Sequence, residues 1–150
     1  MTCADVRRGA VAPTVLSREA VTTIRRHASG AYPVECCGAL LEAGGIIVEA
    51  FPLANTTAGH PRRRFLVGPD DYRAAEARAQ ERRGTLAGFY HSHPDHPARP
   101  SAHDLAHAWP NLIYLIVSVQ AGAPGEIACW RLRDDRSAFD QGELIWPTES

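Results

Sequence analysis

The sequence predicts an α/β protein of the α+β kind, in which helices flank one mixed β-sheet. Segments with helix and strand character follow in the order α-β-β-β-α-β-α-β-β-β, which lacks the regular βα alternation of a doubly wound fold. The chain of 150 residues suits one domain with a substantial core. A composition of 45% hydrophobic and 22% charged residues is typical of a globular protein.

The domain is expected to occupy residues 14–150, after a loose N-terminal tail at residues 1–13. Ser17 is a favourable N-cap residue and predicts the start of the first helix. An apolar stripe then continues to about Ser29, and Gly30 is expected to end this helix.

Strand character follows the first helix. Residues 36–42 and 46–53 are rich in apolar side chains. They flank Gly44-Gly45, a pair that is typical of a hairpin turn. Residues 64–67 form a further short strand candidate.

The middle of the chain combines two helices with a strand and a loop. Residues 69–83 are rich in Ala, Glu and Arg and open with a proline and two acids, which favours a helix. A strand at 85–91 leads into a proline-rich loop at 91–100. Ser101 then caps a short helix that is expected to run to about Trp109.

The C-terminal part of the chain is predicted to be rich in strands. Residues 112–119 are nearly all apolar, as expected of a central strand of a sheet. Residues 126–132 and 143–146 have the character of further strands.

Charge and cysteine content disfavour several partners and locations. The formal net charge is -1, from 16 basic and 17 acidic residues, so bulk charge does not favour nucleic acid or an anionic membrane. The arginine clusters at 62–64 and 82–83 are expected to be solvated surface. No apolar run is long enough to cross a bilayer, and no signal peptide is recognised. The four cysteines lack a CxxC spacing, which favours a reduced cytoplasmic protein with buried thiols.

The stretch that carries chemistry begins with His91 and His93 and continues to Asp104. In a strand, residues i and i+2 point to the same side, so the two imidazoles can face one point. The loop that follows allows the first helical turn, which carries Asp104, to fold back towards the histidines. Two nitrogens and one carboxylate with an open fourth position describe a catalytic rather than a structural zinc site.

Hydrolysis of an amide also needs a base for the water and a donor to the oxyanion. Glu35 is the candidate base, because it follows Pro33 and precedes an apolar Cys-Cys-Gly strand, where a merely solvated acid is unexpected. Ser101 is the candidate donor, because it stands beside the helix that carries Asp104.

Together these residues resemble the motif of the JAMM (MPN+) zinc metalloproteases. The pattern reads Glu35, then His91-Ser92-His93, seven residues, Ser101, two residues and Asp104. The segments at 32–38 and 88–90 also resemble the surroundings of this motif in family members. The resemblance covers roughly residues 14–133.

The resemblance implies a JAMM/MPN domain, a curved mixed β-sheet flanked by helices in the cytidine-deaminase-like group. It implies one Zn²⁺ per chain on His91, His93 and Asp104, with Glu35 as general base and Ser101 as oxyanion donor. It further implies a peptidase or isopeptidase that cuts after the C-terminal Gly-Gly of a ubiquitin-like or sulfur-carrier protein. Such a tail is extended and could add a strand to a sheet edge, with 56–64 and 94–100 as candidate walls.

Two other functions stay open on the sequence alone: a non-catalytic scaffold of the MPN type, and a zinc amidase acting on a small-molecule amide. Deamination is disfavoured, because the chain has no CxxC. His103 and His107 have a metal-binding spacing, but a helix turns Asp104 about 100° away from His103, so both histidines are expected to face solvent or to lie behind the ligands. Cys36 and Cys37 are expected to be buried rather than nucleophilic. The native substrate, the oligomeric state and the identity of the metal stay open.

Overall fold

A computed structural model describes residues 12–54 and 67–147 and shows a mixed sheet with helices on both faces. The helices are α1 (Arg18–Ala31), α2 (Pro69–Glu81) and α3 (Ala102–Ala106). The strands are β1 (Thr14–Val15), β2 (Cys37–Ala43), β3 (Ile46–Leu53), β4 (Thr85–Pro94), β5 (Ile113–Gln120), β6 (Ala123–Leu132), β7 (Phe139–Gly142) and β8 (Leu144–Ile145). The main sheet has the order β3-β2-β4-β5-β6-β7, and β1 pairs separately with β8. The predicted mixed sheet flanked by helices is therefore confirmed.

The sheet has a buried layer on each face. Helix α1 packs against one face, where Ile24 meets Leu40 and Tyr90. Helix α2 packs against the other, where Ala75 joins Phe89. Because side chains alternate along a strand, the odd-numbered positions of β4 that follow Phe89 point to the α2 face. This alternation decides which residues of β4 meet at the site.

Three predicted helix ends are corrected by the structure. Helix α2 ends at Glu81 rather than at 83. Gly30 lies inside α1, which continues to Ala31. Helix α3 ends at Ala106 rather than near Trp109, because the backbone N–H of Trp109 donates to the hydroxyl of Tyr114 at 2.6 Å and so leaves the helical ladder.

Two strands, β4 and β6, are three residues longer than predicted, and β6 begins at Ala123 rather than at 126. The sequence predicts that β4 ends at His91, whereas it runs to Pro94. The extension is stabilised by parallel pairing with β5, in which Pro94 lies opposite Val119. The short strands β1 and β7 were not predicted. Residues 64–66 of the strand predicted at 64–67 and most of the predicted tail at 1–13 lie outside the described residues, and Val67 is not part of a strand.

Turn geometry follows the sequence closely at the β2–β3 hairpin. Gly44 and Gly45 have φ values of 63° and 81°, in the left-handed region where glycine carries no steric cost. Across the described ranges, no helix is long and apolar enough to cross a membrane.

Candidate metal centre

Three side chains from β4 and α3 converge on one point. Nε2 of His91 lies 3.2 Å from Nε2 of His93, and both nitrogens lie close to Oδ2 of Asp104, at 3.2 and 3.3 Å. Both imidazoles are buried, with 1% of His91 and 8% of His93 exposed. Within residues 12–54 and 67–147, this is the one group of three potential metal ligands whose donor atoms meet in this way.

Local structure explains the convergence. His91 and His93 share the α2 face of β4, which directs both rings to one side of the sheet. Asp104 is held by a capping box, in which Ser101 Oγ accepts from the backbone N–H of Asp104 and Asp104 Oδ2 accepts from the backbone N–H of Ser101. The helix start therefore fixes the carboxylate in front of the two rings.

The spacing of these atoms fits a zinc ion. With bonds of about 2.0–2.1 Å from zinc to nitrogen or oxygen, two ligands of a tetrahedral ion lie about 3.3 Å apart. The three distances of 3.2–3.3 Å between His91, His93 and Asp104 match one triangular face of such a tetrahedron. Two nitrogens and one carboxylate are also a donor set that zinc accepts in catalytic sites.

The protonation states of the ligands also suit a cation. Nδ1 of His93 lies 2.8 Å from the carbonyl oxygen of Pro97, which can only accept, so Nδ1 carries a proton and Nε2 is the nitrogen that faces Asp104. Burial lowers the pKa of His91, which favours the neutral ring. Burial opposes ionisation of Asp104, but the interactions with His91, His93 and Ser101 outweigh it and hold the pKa of the carboxyl well below its usual range.

Glu35 lies beside this cluster, just before β2. Only 5% of the residue is exposed, and burial together with the charge of Asp104 raises the pKa of its carboxyl from 4.5 to about 8. A carboxyl that titrates near neutral pH can both accept and release a proton under ordinary conditions. This is the electrostatic property expected of a general base that later acts as an acid.

The hydroxyl group of Ser101 can still donate a hydrogen bond. Its Oγ accepts from the Asp104 N–H at 3.1 Å, which leaves the hydroxyl hydrogen to donate elsewhere. Ser101, Glu35 and His93 line one open groove of about 550 Å³, with Pro33 and the segment 94–97 on its walls. The structure thus brings all five sequence-predicted site residues to one place.

Ser92 is a site residue whose importance was missed in the sequence. Its Oγ accepts from the backbone N–H of Cys36 at 2.9 Å, and its own N–H donates to the Cys36 carbonyl at 3.1 Å. The side chain points away from the ligands, as its place between His91 and His93 requires. A polar residue between two strand-borne ligands was the signal that could have revealed this contact.

His103 and His107 lie near Asp104, on α3 and directly after it. Their rings lie 4.2 Å apart between centroids, and Nδ1 of His107 donates to the His103 carbonyl. Both line a small apolar cavity of about 20 Å³ next to Asp104. His96 and Asp95 are exposed on the groove wall, as the sequence predicts for a loop.

The neighbouring thiols are poorly suited to nucleophilic chemistry. Burial raises the pKa of Cys36 to about 11 and that of Cys37 to about 12, so both stay protonated at neutral pH. Each is buried and free, as is Cys129.

Comparison with known proteins places this geometry in a family. Residues 17–133 match the model of prokaryotic homologs of the JAB domain. The chain belongs to this prokaryotic JAB family. The resemblance to JAMM/MPN proteins seen in the sequence is thereby confirmed, and the matched range includes all the residues of the candidate metal centre.

Two curated relatives of this JAB protein have names that describe different functions. Tail tip assembly protein K of Escherichia phage N15 is 32% identical over 129 residues, which are 86% of this chain and 46% of that protein. The chain thus spans about half the length of that relative. Desampylase of Haloferax volcanii is 34% identical over 97 residues, which are 63% of this chain and 69% of that enzyme.

Solved structures share the fold. A protein of Desulfitobacterium hafniense is 30% identical with a TM-score of 0.77, and the match covers 91% of this chain and 94% of that one. A JAB1/MPN domain protein of Archaeoglobus fulgidus has a TM-score of 0.59 at 20% identity, over 89% of this chain and 98% of that one. At that identity the second likeness concerns the fold alone.

Proposed function

We propose that the protein is a zinc-dependent peptidase or isopeptidase that hydrolyses the amide bond after the C-terminal Gly-Gly of a ubiquitin-like or sulfur-carrier protein. The observation that carries the proposal is the cluster of His91, His93 and Asp104, whose donor atoms lie at tetrahedral zinc spacing beside a buried Glu35. The relationship to a desampylase supports the hydrolytic reaction and a ubiquitin-like partner.

In this proposal each residue of the site has a separate task. His91, His93 and Asp104 would hold the zinc ion, which supplies a Lewis acid towards water and the scissile carbonyl. Glu35 accepts the proton of the attacking water and passes it to the departing amine, as its pKa near neutrality allows. The hydroxyl of Ser101 donates to the carbonyl oxygen as negative charge develops there.

The groove supports an extended, narrow substrate. It is open, and Pro33, Pro94 and Pro97 are among the residues that line it. A Gly-Gly tail presents no side chains that would collide with such walls. The second wall predicted from the sequence, at 56–64, lies outside the described residues.

The proposed place of action is the cytoplasm. The described thiols Cys36, Cys37 and Cys129 are all free and buried, which suits a reducing compartment.

The cleavage site on a substrate tests the proposal. The purified protein is incubated with a ubiquitin-like carrier extended past its Gly-Gly end and with the same carrier joined to a lysine side chain, and products are followed by intact mass. Glu35→Gln removes the base, whereas Glu42→Gln is the matched control, because Glu42 lies at the far end of β2. A chelator followed by zinc tests the metal.

The proposal predicts that the unmodified protein and the control variant Glu42→Gln release products that end in Gly-Gly. Cleavage should be lost in Glu35→Gln and in the presence of the chelator. Carriers that stay intact while one zinc per chain is bound would point to the small-amide alternative. A chain that binds no zinc even when it is supplied would favour the scaffold alternative.

A further inference from the structure

The loop after His93 is fixed to its neighbours at four consecutive residues. The backbone N–H of Asp95 donates to the Val119 carbonyl at 2.6 Å. The carbonyl of His96 accepts from Ser118 Oγ at 2.7 Å. These two contacts attach the start of the loop to β5.

The next two residues of the loop continue the pattern. The carbonyl of Pro97 accepts from Nδ1 of His93 at 2.8 Å. The carbonyl of Ala98 accepts from Nε1–H of Trp130, on β6, at 3.1 Å. The carbonyls on both sides of Pro97, those of His96 and Ala98, are therefore each held in place by a side chain of the sheet.

The position of the Pro97 carbonyl decides which nitrogen of His93 faces Asp104. Since a carbonyl oxygen can only accept, its contact with Nδ1 keeps a proton there and turns Nε2 towards the ligand cluster, so Nε2 is the nitrogen that a metal would meet. If this carbonyl moved, the ring could turn or the proton could shift to Nε2. Either change removes a donor atom from the cluster.

We propose that Ser118 and Trp130 are positioning residues of the metal centre, which hold the carbonyls on both sides of Pro97 and thereby fix the tautomer and orientation of His93. The inference rests on the proposed function, because it assigns these residues to the same metal site.

The surroundings of both side chains support this role. Ser118 lies in an otherwise apolar stretch of β5, and only 6% of the residue is exposed. Burying a hydroxyl group there costs free energy of folding unless the group forms hydrogen bonds. It also accepts from Nε2 of Gln120 at 3.1 Å, which leaves its hydrogen directed to His96. Trp130 packs with Ala98, of which 1% is exposed, so the ring supports the loop while its N–H holds the carbonyl.

Two variants remove these contacts with little change in shape. Ser118→Ala deletes the hydroxyl, and Trp130→Phe keeps an aromatic ring without the N–H. Ser29→Ala is the control for serine, because Ser29 Oγ also donates to a carbonyl, that of Gly122, outside the loop. Trp146→Phe is the control for tryptophan, because Trp146 packs in the core on the α1 side.

The zinc dissociation constant, measured by competition with a chromophoric chelator, is the first readout. We expect Ser118→Ala and Trp130→Phe to weaken binding by about 10-fold, the low end of the loss caused by removing an outer partner of a ligand, because the Pro97 carbonyl is loosened rather than removed, and the two controls to change it by less than about twofold. Melting temperatures of the metal-free variants serve as the reference for a merely structural effect. Equal zinc affinity in test and control variants would overturn the inference.

The tautomer of His93 in the metal-free protein is the second readout, by ¹⁵N NMR of the imidazole nitrogens. We expect Nδ1 to carry a proton throughout in the unmodified chain and in the controls, and a mixture of protonated and unprotonated Nδ1 in Ser118→Ala and Trp130→Phe. An unchanged tautomer in both variants would overturn the inference. If the unmodified chain itself binds no zinc, the proposed function fails, and the tautomer measurement still decides the role of Ser118 and Trp130.

Discussion

The hydroxyl oxygen of Ser92 accepts a hydrogen bond from the backbone N–H of Cys36 at 2.9 Å, and the Ser92 N–H donates to the Cys36 carbonyl at 3.1 Å. Ser92 lies between the two histidines of the cluster, and Cys36 directly follows Glu35. The strand that carries the candidate ligands is thus tied to the segment that carries the candidate base. Ser92 therefore joins the two halves of the site, in addition to the pairing of β2 with β4.

Replacing Ser92 by alanine is expected to lower both stability and cleavage. The change leaves the buried N–H of Cys36 without its acceptor, which costs about 1–3 kcal/mol of unfolding free energy. Cleavage should fall further than zinc content, because Glu35 moves while the ligands stay on β4. Urea unfolding of the metal-free protein, with Ser29→Ala as control, measures the stability change. A Ser92→Ala variant as stable and active as the unmodified chain would contradict this role.

Replacing Glu35 by glutamine should stabilise the metal-free protein above about pH 5. The folded pKa of about 8 exceeds the ordinary value of 4.5, so the folded state binds this proton more tightly than the unfolded state does. The unfolding free energy of the unmodified chain therefore falls as the pH rises from about 4.5 to about 8 and then levels off. At pH 9 the variant should be more stable by up to about 5 kcal/mol, since one pKa unit corresponds to about 1.4 kcal/mol.

The measurement is urea unfolding of both proteins between pH 4 and pH 9 in the presence of a chelator. Glu42→Gln is the control, and it should follow the pH dependence of the unmodified chain. Parallel stability curves for Glu35→Gln and the unmodified chain would show that burial does not shift the proton affinity of Glu35.

Two glycine-to-alanine substitutions should have opposite effects. At Gly38 a Cβ would lie 2.2 Å from the ring of Tyr90, which is fully buried and held by His27 at 2.7 Å, so the variant should lose about 1–3 kcal/mol or more. At Gly30, inside α1, nothing lies within 4 Å of the new Cβ, and alanine should add about 0.5–1 kcal/mol. Thermal unfolding compares them, and a stable Gly38→Ala variant would mean that the Tyr90 ring can move.

Local patterns were sufficient to predict most of the elements and the composition of the site. The cap at Ser17, the Gly44-Gly45 turn and the helix-rich composition after Pro69 each depend on neighbouring residues alone, and each prediction agrees with the structure. The i, i+2 spacing of His91 and His93 also sufficed to predict that both rings face one point.

The structural features that the sequence did not predict depend on long-range contacts. Strand β4 continues to Pro94 because it pairs with its parallel neighbour β5. Helix α3 ends earlier than predicted because the Tyr114 hydroxyl accepts a hydrogen bond from the N–H of Trp109. The bond from Ser92 to Cys36 likewise joins residues far apart in the chain. Such pairings depend on how the sheet assembles, which no local spacing encodes.

Bound zinc, measured by elemental analysis after zinc loading and gel filtration, tests the central claim most directly. The proteins compared are the unmodified chain, Glu35→Gln, His93→Ala and Asp104→Asn. The account predicts about one zinc per chain in the first two and a large loss in the last two, because His93 and Asp104 each supply a ligand atom to the cluster whereas Glu35 does not. A chain without zinc, or an Asp104→Asn variant that keeps the full amount, would contradict the proposed metal centre.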